Sequence, residues 1–145
     1  MTRTLPPICV WLLVLSVVGA FSGCSSITSV DPSSLDFTVE QIRPGSEEPI
    51  PDLGATGGDG EIRFQGAVGT PVPCYDVEGE VALQENTVIL EVVATRREMV
   101  CIQVLATFGY DGIVTDVDPG FYQVEIAHVQ GGVREVVFEG AVEVE

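Results

Sequence analysis

From Ile62 onward, apolar side chains return at every second residue, and this two-residue period restricts the fold more than any other feature of the chain. Ile62, Phe64, Gly66 and Val68 share one parity, and Tyr75, Val77, Gly79, Val81 and Leu83 share another, opposed by Asp76, Glu78 and Glu80. Val88, Leu90, Val92 and Ala94 repeat the pattern, as do Tyr122, Val124, Ile126 and His128. Only a pleated strand sends alternate residues to opposite faces. Apolar residues do not recur at helical spacing in this region. Turn formers divide the runs at Glu85-Asn86, Arg96-Arg97-Glu98, Asp111-Gly112, Asp118-Pro119-Gly120 and Gly131-Gly132. Seven to eight short strands separated this way predict an all-β sandwich over residues 35–145.

The remaining elements follow from the same reading. Leu35, Phe37 and Val39 alternate with Asp36, Thr38 and Glu40, predicting a first, half-buried strand. Residues 44–60 carry three Pro and five Gly among acids and predict a long loop. Val100, Ile102, Val104, Ala106 and Phe108 predict a strand that also buries Leu105 on its opposite face, with a turn at Asp111-Gly112 and a short strand from Ile113 to Val117 behind it. Val136, Phe138, Val142 and Val144 are expected to share the core face of the last strand. The segment Asp118-Pro119-Gly120-Phe121-Tyr122-Gln123-Val124 resembles the start of a late strand in many immunoglobulin-like and prealbumin-like sandwich modules. That resemblance implies that Tyr122 fills core and hydrogen-bonds back to a turn.

The N-terminus carries an address. Arg3 precedes an apolar run from Ile8 to Ala20, which is too short and too soon interrupted for a comfortable membrane span. Phe21-Ser22-Gly23-Cys24 then resembles the lipobox of bacterial lipoproteins, with Phe where Leu is usual. The resemblance implies a signal peptide over residues 1–23, a lipid on Cys24 at the mature N-terminus, and a flexible tether over residues 24–34. Ser25 behind the Cys, rather than Asp, implies sorting to the outer membrane in a diderm host. Cleavage would remove Arg3 and retain all 22 acids, taking the net charge from −16 to −17.

Of four cysteines, Cys9 would leave with the signal and Cys24 would carry lipid. Cys74 and Cys101 remain, and in an exported protein an even pair is most simply a disulfide, although two buried thiols are also compatible with the spacing. The loop it closes would contribute about 3.6 kcal/mol in the chain-entropy model. A simple meander would hold the two strands about 9.6 Å apart, twice the interstrand spacing. A disulfide tolerates Cα separations of about 6.8 Å at most. Either the Arg96-Arg97-Glu98 turn therefore carries the chain to the other sheet, or the strands are direct neighbours. Neither cysteine shares parity with its strand's apolar residues, so the bond is expected near a strand end.

The chemistry on offer is thin. With 6 Lys+Arg, all Arg, against 22 Asp+Glu, the surface repels a phosphate backbone, which argues against a nucleic-acid partner. No Ser lies beyond Ser46, no Lys exists, and the one histidine, His128, falls on an apolar strand face where it is expected to be packed. Asp111, Asp116 and Asp118, crowded around one turn, are the candidates for weak Ca²⁺ binding, without the loop pattern of a dedicated site. No cofactor motif is present. The chain is thus expected to be a lipid-anchored, extracytoplasmic, non-enzymatic β-sandwich of the cell envelope. It would bind a protein partner or stabilise an envelope assembly, with its membrane contact made through the lipid. A small-ligand- or Ca²⁺-binding lipoprotein, or an inhibitor of extracytoplasmic proteases acting through the 44–60 loop, are the alternatives.

Overall fold

The structure, a computed structural model, describes residues 34–43, 45 and 49–145. The signal peptide, Cys24 and nearly all of the tether lie outside the described residues. Eight strands form two four-stranded sheets, the all-β sandwich that the two-residue period predicts. Sheet A runs β1 (Leu35–Ile42), β6 (Ala106–Thr115), β3 (Glu61–Thr70), β2 (Gly54–Gly57), with every neighbour antiparallel. Sheet B runs β4 (Tyr75–Gln84), β5 (Thr87–Arg96), β7 (Gly120–Gln130), β8 (Val133–Val144), with β5 and β7 parallel.

The inward parities meet between the sheets. Ile62, Phe64, Val68, Tyr110 and Val114 of sheet A face Val88, Leu90, Val92, Val124 and Ile126 of sheet B, all buried in one cluster. Burying each such side chain contributes roughly 1.5–3 kcal/mol. Phe37 of β1 crosses to sheet B and lies so close to Gly79 that a Cβ there would come within 2.5 Å of the ring. At the opposite margin, the Glu145 amide donates to the Gly58 carbonyl and Gly60 to that of Glu145, tying the chain end to the β2–β3 turn.

Turn chemistry placed three reversals correctly. Glu85 adopts φ 56° in the two-residue β4–β5 turn, and Gly131 and Gly132 adopt φ 58° and 79° in the β7–β8 turn, where a side chain would be strained. Asp118-Pro119 leads into β7, and the Tyr122 hydroxyl donates to the Asp118 carbonyl at 2.9 Å. Tyr122 therefore packs in the core and bonds back to the turn.

Other expectations are corrected. Asp111-Gly112 is not a turn: both residues lie inside β6, which pairs on both sides along this stretch, so no separate strand begins at Ile113. A Gly after an Asp stops a strand only when no neighbour takes its backbone groups. The 44–60 segment is not all loop, since Gly54–Gly57 adds a fourth strand to sheet A. Val136 is exposed, because an irregularity opposite Ile126/Ala127 puts β8 out of phase. The largest correction concerns residues 97–105. They form an irregular link, and Leu105 is 77% exposed.

The pairing registers define two ends of the sandwich. Leu35, the β2–β3 turn, Glu85-Asn86, the β6–β7 turn and Glu145 lie at one end; Ile42, the β3–β4 link, residues 97–105 and Gly131-Gly132 lie at the other. Ten strand residues separate the ends by about 33 Å.

Candidate protein interface

The link from β5 to β6 crosses from sheet B to sheet A, so it has no sheet to pair with. Its apolar residues therefore face water. Met99 is 55% exposed, Val100 99%, Ile102 70%, and Val104 and Leu105 are exposed with them. Val133, next to the neighbouring Gly131-Gly132 turn, is also exposed. Single exposed apolar residues are ordinary, but a contiguous group on one loop marks an interaction surface.

This loop is held. Cys101 at its middle is bonded to Cys74 just before β4, with the Cα atoms 6.2 Å apart. The crossing to the other sheet is the first of the two topologies that a bond permits, and the bond sits beside a strand end, half-buried. The Arg97 amide donates to the Cys74 carbonyl at 3.0 Å, and its guanidinium binds the Asp76 carboxylate, Nε to Oδ1 at 2.7 Å. That contact raises the Arg97 pKa further. Arg43 and Arg96 are exposed at the same end and form no salt bridge among the described residues.

Elsewhere the expected site residues are dispersed. Asp111 lies mid-strand on the outer face of sheet A, opposite Thr38 and Gln65, whereas Asp116 and Asp118 follow the end of β6. Five residues of strand place Asp111 and Asp116 roughly 16 Å apart. Among the described residues, no group of three or more His, Cys, Asp or Glu is arranged to hold a metal ion. Asp76, Glu78 and Glu80 line the exposed outer face of β4. Across that face, Arg134 of β8 reaches over β7 to Glu91 at 2.5 Å and also binds Glu125, relieving like charges brought together by the register.

His128 enters the sandwich, where its Nε2 lies 3.0 Å from the Tyr110 hydroxyl and the rings meet edge to face. Burial lowers its pKa, partly offset by the Glu135 carboxylate, and burial pushes the Tyr110 phenol well up. Glu135, opposite His128 in the β7–β8 register, is the charged group nearest the pair. A cleft of about 490 Å³ on the outer face of sheet A is lined by Thr38, Glu40, Ile42, Pro51, Gly109 and Asp111. Pro51 lies over Gly109, and Leu53 beside Gly66, so this part of the 44–60 segment rests on sheet A.

The alternation of Val100, Ile102 and Val104 concealed the apolar loop, because period alone does not tell a strand from an extended link. Part of the signal was already present. A bond between Cys74 and Cys101 left two topologies, a change of sheet at that point or direct strand neighbours, and the first is the one found. No family model, curated protein or solved structure matches this chain.

Proposed function

We propose that this chain is a lipid-anchored, extracytoplasmic β-sandwich of non-enzymatic role that docks a protein through its Met99–Leu105 loop. One observation carries the reading: the exposed apolar loop lies at the end of the sandwich opposite Leu35, where the tether joins β1. A lipid on Cys24 would leave that loop facing away from the anchoring membrane. The disulfide supports the extracytoplasmic part, because such bonds persist in oxidising compartments. The fixed shape of the loop supports the docking part, because a preorganised surface loses less entropy on association.

Two measurements test the reading. Cys24→Ala should leave an unprocessed precursor that takes up no labelled fatty acid, and an unmodified mature N-terminus at another residue contradicts the anchor. Val100→Asp should abolish crosslinking to envelope protein from the loop, and unchanged crosslinking contradicts the docking role. The sheet A cleft, with Glu40 and Asp111 at its sides, favours a second reading as a binder of a small cationic ligand. Thermal melting against added Ca²⁺ separates the two, since a ligand bound by the folded state raises the melting temperature.

A further inference from the structure

Resting on the docking role of the loop, we infer that the protein it meets is a second copy of this chain, joined end to end about a two-fold axis. Charge is distributed unequally between the ends. The Leu35 end carries Asp59, Glu85, Asp116, Asp118, Glu143 and Glu145, while its one described arginine, Arg63, is bound to Glu61. Among the described residues the loop end holds Arg43, Arg96, Arg97 and Arg134, four of the five described arginines, against Glu40, Asp76, Glu98 and Glu135. With a net charge of −16, two copies repel one another across most of their surfaces. Among the described residues the loop end is where the charges come closest to balance, and it is where the apolar group from Met99 to Leu105 is exposed.

The same end is complementary to itself. Arg96 and Glu98 stand two residues apart beside the apolar group, both exposed, and neither joins a salt bridge among the described residues. In an isologous contact each surface meets its own copy, so Arg96 of one chain faces Glu98 of the other while Val100, Ile102 and Leu105 cover one another. A bilayer fits less well. Residues 97–105 contain no Trp or Tyr, the aromatic side chains enriched at a membrane interface, and Arg97, their one cation, is already bound to Asp76.

The test uses the full chain, purified in detergent, with a photoreactive benzophenone side chain at position 100. Irradiation should give a species of twice the chain's mass, with the crosslink mapping to residues 97–105 or 131–133 of the second copy. Its yield should rise between roughly 0.05 and 0.5 M salt, because screening relieves repulsion between the acidic bodies. Ile102→Asp should reduce the yield at least about tenfold without moving the melting temperature. Arg96→Glu alone should weaken the dimer without moving the melting temperature, and Arg96→Glu combined with Glu98→Arg should restore it. Crosslinks to another polypeptide in intact envelopes, with no self-adduct, overturn the homotypic contact and leave the docking role standing. Absence of any protein adduct overturns both.

Discussion

Tyr110 and His128 show how much one polar contact can cost inside a sandwich this small. Their hydrogen bond crosses from sheet A to sheet B, so each satisfies the other where water is scarce. Desolvation lowers the His128 pKa below its ordinary value of about 6.5, so the unfolded chain binds the proton more tightly than the folded one. The resulting stability is fully present above that unfolded value and is lost as the pH falls through it toward the folded pKa. Melting curves should therefore show a decline on acidification that His128→Gln makes shallower; identical slopes in the two proteins contradict the assignment. Tyr122 does a simpler job. Tyr122→Phe keeps the ring in the core and removes the bond to the Asp118 carbonyl, which should cost about 1 kcal/mol in urea unfolding.

At the scale of elements, β5 and the link behind it carry the same alternation and meet opposite fates. Leu90 is fully buried between the sheets, and Leu90→Ala should cost about 2–5 kcal/mol. Val100 touches almost nothing, and Val100→Asp should change stability by less than about 0.5 kcal/mol. Equal losses from the two substitutions in chemical denaturation would place the loop back in the core. Removing the disulfide by replacing Cys74 and Cys101 with Ala should cost up to about 3.6 kcal/mol and loosen the loop. The strands themselves were legible wherever one face is polar, as with Asp76, Glu78 and Glu80 on β4, because alternation then reports burial directly. The continuous β6 was not legible, since Asp111-Gly112 carries a local turn signal that pairing with β1 and β3 overrides. Nor was the irregularity in β8, which reverses the phase of Val136 without any Gly or Pro at the spot. Of the candidate site, the cysteine pair and its place near a strand end could be read in advance; the exposure of its neighbours depended on the change of sheet.

The whole molecule is a body with two unlike ends, about 33 Å apart along the strands. The acid-rich end receives the chain from the N-terminal segment through Leu35, and the other end presents a disulfide-held apolar loop among arginines. Under the proposed reading of a tethered domain, this polarity reserves contact for the end far from Leu35. On the outer face of sheet B the carboxylates are solvated or clasped by Arg134. The direct test compares photocrosslinking in the native envelope from position 100 with that from position 85, at opposite ends of the sandwich. A protein adduct from position 100 and none from position 85 is the predicted result. Adducts of equal yield from both positions, or from position 85 alone, would contradict the assignment of contact to the loop end.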